Sequence, residues 1–381
     1  MKIAILVRIL WSAGTQKFAI EETRALSEMG HDVELIFLRK SESGDVYSDL
    51  LKGLKYRIIT AENRSPFVWF YDFITGIFME NRKGEGRVDY NLIRMFPSIV
   101  KDSFDLIICQ DQWAGLAGYY TKKKYGTEYE VILHETVNDF PWVGGFKRIL
   151  VRLALNYQKK VLLNAKKVLA VTIKIAESAE SFFKKYNLKV VPNLMGLREL
   201  PFRKYSMKDN AIALVSFWSE IKAPGLYIDL FQKLEGYSIL LIGNWTSETY
   251  KTSYDNKLKE IGVSEKIHFL QNLPETEKND LISNSKFYVR FGMGEFGMGT
   301  GTLEAIELGV PVIVNKELGI SDYLESYKCG LVVDDPSDTD RIVKFIREHD
   351  NQEAYQALQD ELRRFVKDHN WVKHCETLME R

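Results

Sequence analysis

The sequence predicts an α/β protein built from two doubly wound, Rossmann-like parallel sheets that face each other across a cleft. Three observations carry this expectation. Short β-branched runs alternate with longer helical patterns almost throughout, the alternation restarts once near the middle, and 381 residues suffice for two or three domains. Strands separated by helices pair in parallel through right-handed crossovers, which makes an open α/β sheet.

KIAILV opens the first series as a buried strand. FAIEETRALSEMG has helical spacing and stops at Gly30, where glycine can close a helix. HDVELIFL, DLIICQ, EVILHE and KKVLAVT continue as strands. The second series is IALVSFW, SILLIGN, KIHFL, KFYVRFG, VPVIVN and GLVVDD, each before a helical segment. Between the series, KVVPNLMGLRELPFRKYSMKDN loses periodicity and holds Pro192 and Pro201, so the join falls there. The domains expected are residues 1–196, residues 197–367, and a final helix over 368–381 that crosses back to the first. The last helical pattern contains Asn370 and Trp371 and reads as two helices with a bend near His369.

Composition narrows the function. Fifty-two basic residues balance 52 acidic ones, so nothing in the net charge points to bulk nucleic-acid binding. Cys109, Cys329 and Cys375 are odd in number and far apart, which excludes a zinc site by spacing and points to a reducing compartment, the cytoplasm. Arg8 interrupts the apolar N-terminal run, which argues against a signal peptide. No stretch reaches the roughly 18 apolar residues that span a bilayer; SPFVWFYDFITGIFM is too short and carries Asp72.

Ligands of open α/β sheets bind at the carboxyl ends of the strands. The most informative such loop is KFYVRFGMGEFGMGTGTLEAIELGVPVIVNKE, with glycines at 292, 294, 297, 299 and 301 before a helix that opens near Thr302. Glycines let backbone approach a ligand closely, and a helix N-terminus presents N–H groups to an anion, most simply phosphate. The bland alternative is a flexible turn without a ligand. Gly292, Gly294 and Gly297 also spell GxGxxG, with Glu317 twenty residues beyond. That pattern would imply NAD or FAD, but such fingerprints normally open the first βα unit of a domain and this one does not.

GEFGMGTGTLEAIELGVPVIV resembles the donor-site segment of retaining GT-B glycosyltransferases of the family 4 type. The N-terminal unit ending in GHDVELI, the run KKVLAVT…VVPN, the segment KCGLVVDDPSDTD and Trp371 resemble further pieces of the same family, in its order. The resemblance implies transfer of a sugar from a nucleotide diphosphate sugar to a glycan or lipid-linked acceptor, with retention of configuration and neither cofactor nor metal. Carried over by position, Glu304 would bind ribose hydroxyls, while Gly299, Thr300, Gly301 and Thr302 would hold the diphosphate. Lys222 would neutralise the leaving group, and Gly14 would let the first loop approach the donor. His134, at the end of EVILH, would hydrogen-bond or exchange a proton at the cleft, with a buried structural histidine as the alternative.

Two departures stand out. Eight residues separate Glu295 from Glu304, one more than in the family, and strict counting puts Phe296 at the first glutamate's position. Either the loop bulges so that Glu295 reaches the donor sugar, which is the expectation here, or that contact is missing. Phe217 occupies the position of the family's arginine, leaving Lys222 as one cation instead of two. A non-catalytic relative serving as a binding or partner subunit is therefore the second reading, and an NAD-dependent oxidoreductase the third. Asp338-Thr339-Asp340 is a literal DxD, better explained as a helix cap than as a metal site. Two amphipathic stretches hint at a peripheral membrane contact: the face of Phe67, Phe70, Tyr71, Ile74, Ile77 and Phe78 after Ser65-Pro66, and a basic stripe of Arg148, Arg152, Lys159 and Lys166 opposite Leu150, Leu153, Tyr157 and Val161. Ordinary core packing with a solvated basic face is the alternative.

Overall fold

The computed structural model describes residues 1–10, 14–40, 49–59, 93, 96–98, 100, 103–135 and 147–380. The chain divides into two compact units, one of Met1–Met195 with His374–Arg381 and one of Gly196–Lys373. Each is an α/β unit on a parallel sheet, the architecture expected from the alternation of runs.

The first sheet contains β1 (Lys2–Val7), β2 (Asp32–Phe37), β3 (Tyr56–Ile58), β4 (Leu106–Gln110), β5 (Glu128–Leu133), β6 (Lys167–Ala170) and β7 (Val191–Pro192), in the order β3-β2-β1-β4-β5-β6-β7. Its helices are α1 (Gly14–Glu28), α2 (Ala114–Tyr125), α3 (Lys147–Asn164) and α4 (Ile173–Phe182). The central strands are buried on both faces, which is why they read as continuous apolar runs rather than alternating ones. Gly30 closes the chain after α1 at φ +89°, a conformation that favours glycine. The edge strands β3 and β7, three and two residues long, carried too little apolar sequence to be expected.

The second sheet contains β8 (Asp209–Val215), β9 (Ser238–Ile242), β10 (Ile267–Leu270), β11 (Ser285–Arg290), β12 (Val312–Asn315) and β13 (Gly330–Val333), in the order β10-β9-β8-β11-β12-β13. Its helices are α5 (Ile228–Lys233), α6 (Glu248–Glu260), α7 (Glu275–Asn284), α8 (Thr300–Glu307), α9 (Ser321–Leu324), α10 (Thr339–His349) and α11 (Gln352–Asp368). The last helix, α12 (Trp371–Met379), follows α11 after a break at His369 and Asn370, as the sequence predicts.

Strand order reverses between β1 and β4 in the first sheet and between β8 and β11 in the second. At such a switch point neighbouring loops leave the sheet in opposite directions and open a crevice, the usual ligand position of this architecture. Both crevices coincide with loops singled out above.

Asp338 accepts a hydrogen bond from the Arg341 N–H at 3.4 Å as the N-cap of α10, and Asp340 pairs with Lys233 at 2.7 Å, so the DxD triplet works as a cap. Among the described residues no His, Cys, Asp or Glu side chains are grouped as metal ligands, and no helix is long and apolar enough to cross a membrane. The aromatic face over residues 67–78, with Ser65 and Pro66, lies outside the described residues, as do the Leu150 and Leu153 side chains. The basic stripe needs correction. α3 ends at Asn164, so Lys166 is not on it and instead lies 3.4 Å from the buried Glu130 carboxylate, while Lys159 sits 4.0 Å over the Tyr186 ring.

Candidate active site

In the second unit, the loop after β8 makes a 3-10 turn over Glu220–Lys222. Ala223 (φ +42°) and Pro224 then turn the chain toward α5. The loop is tied to its neighbour through Tyr227, whose ring stacks on Phe291 at 4.9 Å and whose hydroxyl accepts from the Phe291 N–H at 2.8 Å. This anchoring places Lys222 beside the glycine loop, where its ammonium donates to Glu295 Oε1. Phe217, at the position where the resemblance calls for arginine, is 57% exposed.

The glycine loop is held from several sides, which disfavours the flexible-turn alternative. The Asn315 side chain, at the end of β12, accepts from the Gly292 N–H and donates to the Gly292 carbonyl, both at 2.8 Å. The Gly319 N–H donates to the Glu295 and Gly297 carbonyls at 3.2 and 3.0 Å. Glu317 accepts from the Gly294 N–H, so the acidic residue of the apparent dinucleotide fingerprint closes the loop on itself. β11 is the fourth strand of its unit, which also departs from a fingerprint placed in the first βα unit.

Within this loop Glu295 rather than Phe296 faces the basic group. Its Oε2 accepts from Arg290 Nη2 at 2.7 Å, while Phe296 is 38% exposed. Arg290, the last residue of β11, was not anticipated. Its one sequence signal is an arginine closing an otherwise buried strand, KFYVRFG.

Gly299, at φ +64°, is the N-cap of α8 and directs the first turn of that helix over the end of β8. The approach is close: a Cβ on Gly301 would sit 2.7 Å from the Tyr288 hydroxyl and 3.1 Å from Val215. One expectation is corrected here. The Thr302 N–H donates to the Gly299 carbonyl at 2.7 Å, so it is engaged inside the cap, leaving the first-turn N–H groups of Thr300 and Gly301 as the donors an anion could meet. Glu304, one turn in, is buried and accepts from Lys278 of α7 at 2.7 Å. Lys278 also reaches Glu275 and was missed, because nothing in the sequence pairs α7 with α8.

In the first unit Gly14 is the first residue of α1, and Gln16 fastens that turn by donating to the Ile9 carbonyl at 3.0 Å. His134 directly follows β5, and Glu135 is exposed. His134 ends a buried polar chain. Its Nε2 meets the Gln110 side-chain oxygen at 2.8 Å, the Gln110 amide donates to Glu22 Oε2, and Glu22 Oε1 meets His374 Nε2 at 3.0 Å. His374 Nδ1 lies 2.9 Å from the Leu194 carbonyl. Phe18 packs edge-on against both imidazoles, at 5.0 and 5.3 Å.

This chain assigns the tautomer. The Glu22 carboxylate requires the amide nitrogen of Gln110, so the Gln110 oxygen faces His134 and accepts from Nε2–H, and Nδ1 keeps the lone pair. Burial, with the neighbouring His374 adding to it, pushes the His134 pKa down to about 3, so the ring is neutral at physiological pH. Burial also raises the Glu22 pKa, an effect that His374 and Gln110 oppose.

Gly14 and His134 thus belong to the first unit, whereas Lys222, Glu295, Gly299, Thr300, Gly301, Thr302 and Glu304 converge at the switch point of the second. No curated protein matches the chain in sequence. Solved structures match it in fold. HepE from Anabaena, in complex with UDP and glucose, is similar with a TM-score of 0.72 at 14% identity, covering 99% of this chain and 98% of that one. A glycosyltransferase from Rickettsia africae matches with a TM-score of 0.73 at 14% identity, over 99% and 96%. Sucrose-phosphate synthase from Thermosynechococcus elongatus matches with a TM-score of 0.67 at 14% identity, over 99% and 97%. The architecture is therefore that of GT-B glycosyltransferase structures, and residues 201–367, which include the whole site of the second unit, match the family model described as glycosyl transferases group 1.

Proposed function

We propose that this protein is a glycosyltransferase that takes a sugar from a nucleotide diphosphate sugar. The observation that carries the reading is the convergence, at the switch point of the second sheet, of the first turn of α8, the Lys222–Glu295 pair and the buried Glu304. Oriented N–H groups, a cation and a carboxylate a helical turn away are what a diphosphate attached to a ribose requires. The family match over this same segment supports it, as do relatives in fold whose structures contain UDP or UDP-glucose.

In this reading Gly299, Thr300 and Gly301 hold the diphosphate, Glu304 takes the ribose hydroxyls and Lys222 opposes the charge that develops on the leaving phosphate. Glu295 turns to the donor sugar. Gly14 admits the first loop to the donor, and His134 Nδ1 accepts from a hydroxyl of the bound sugar. The acceptor is a glycan or a lipid-linked glycan, the configuration is retained, and the reducing cytoplasm is the expected compartment. Catalysis then rests on holding the acceptor hydroxyl at the anomeric carbon while the departing charge is stabilised.

The exposed Phe217 favours a second reading, a non-catalytic relative that serves as a binding or partner subunit and holds nucleotide sugar weakly or not at all. Calorimetry with UDP, GDP, ADP and NAD on the wild type, Lys222→Ala and Glu304→Gln separates the alternatives. Binding of one nucleoside diphosphate, lost in both variants, is expected. Binding of none places the non-catalytic reading first, and binding of NAD alone the oxidoreductase.

A further inference from the structure

We propose that Arg290 is the second diphosphate cation of this site, and that Glu295 is a resident carboxylate which the incoming phosphate displaces. The inference rests on the donor reading above. A loop residue supplies the arginine in the resembled pattern, and here that position is an exposed phenylalanine. Arg290 enters from the neighbouring strand instead: β8 and β11 pair directly, and Arg290 closes β11 where Lys222 follows β8.

Two details distinguish a phosphate cation from a residue that only positions Glu295. Lys222 and Arg290 share one carboxylate, Lys222 on Oε1 and Arg290 Nη2 on Oε2, so the cluster carries two positive charges against one negative. The Arg290 side chain is 6% exposed and lies beside the Tyr227 hydroxyl, yet its buried Nη1 makes no hydrogen bond of ordinary geometry. A buried charged donor left unpaired is unfavourable, and holding Glu295 requires only the other nitrogen. A phosphate group, with more negative charge and more acceptor oxygens than a carboxylate, meets both the surplus charge and the unfilled donor. Its arrival releases the Glu295 carboxylate, so diphosphate binding and presentation of Glu295 to the donor sugar become one event.

The test uses the full chain in calorimetry, with inorganic pyrophosphate, UDP, GDP and ADP as probes. The variants are Arg290→Gln, Arg290→Lys and Glu295→Ala. None of the probes carries a donor sugar on its diphosphate, so loss of a contact between Glu295 and that sugar does not enter. Arg290→Gln is expected to weaken pyrophosphate and the preferred nucleoside diphosphate by about 10- to 100-fold, with part of the loss restored in Arg290→Lys. Glu295→Ala, which removes the competing carboxylate, is expected to bind both about tenfold more tightly. Unchanged affinity in Arg290→Gln, or unchanged or weaker affinity in Glu295→Ala, overturns the proposal. If Arg290→Gln fails to fold, Glu295→Ala decides alone, because it keeps both cations. Wild-type protein that binds pyrophosphate but no nucleoside diphosphate sinks the donor reading and leaves the cation pair standing. Failure to bind either sinks both.

Discussion

Replacing Gln110 by leucine tests the polar chain that orients His134. Gln110 is fully buried, and its amide joins two groups that have few alternatives: it donates to the Glu22 carboxylate and accepts from His134 Nε2 at 2.8 Å. Leucine fills a similar volume but can do neither. One bond to a carboxylate contributes about 1.5–3 kcal/mol and one between neutral groups about 0.5–1.5 kcal/mol, and Glu22 Oε2 and the His134 Nε2–H lose their partner near a buried centre. The expected destabilisation is about 3–5 kcal/mol. For a unit of this size that corresponds to a fall of about 6–20 °C in its unfolding temperature. Imidazole nitrogen NMR reads the second consequence: the wild type shows His134 protonated at Nε2 and neutral, whereas the variant mixes tautomers. The proposed transfer activity should fall further than donor binding, since the fold of the second unit is untouched. A stability change within about 0.5 kcal/mol, together with an unchanged His134 spectrum, would refute the reasoning, because a surface-like amide carries that little.

Two further outcomes are expected. In Gly301→Ala the new Cβ meets Tyr288 and Val215 inside ordinary contact distance, so the first turn of α8 must shift; nucleoside diphosphate affinity should fall about tenfold with about 1–3 kcal/mol lost in stability, read by calorimetry and urea unfolding. Lys208 is buried, its ammonium donates to the Ser283 and Ser285 carbonyls, and burial pushes its pKa down to about 7. Between pH 7 and about 10.5 the unfolded chain therefore holds the proton that the folded protein has released, so stability rises with pH across that window; Lys208→Met should abolish the rise, which amounts to about 2–4 kcal/mol in pH-dependent unfolding.

The parallel strands were legible because each is buried on both faces and so appears as an unbroken β-branched run, as in KIAILV and VPVIVN. The glycine loop and the helix behind it were legible for a similar local reason: closely spaced glycines followed by a helical pattern leave few conformations open. Glu295 and Glu304 were found because they lie on that segment. Arg290, Lys278, Gln110, Glu22 and His374 were not. Lys278, Gln110, Glu22 and His374 reach their partners across the sheet order or between helices, with 352 positions between Glu22 and His374, whereas Arg290 meets Glu295 five residues on in its own loop. Local pattern reports which residues are buried or turned, since those depend on neighbours within a few positions. Which cation meets which carboxylate depends on strand order and register. An arginine that closes a buried strand is an oddity in one dimension, and the pairing of β8 with β11 brings Lys222 to the carboxylate that Arg290 holds.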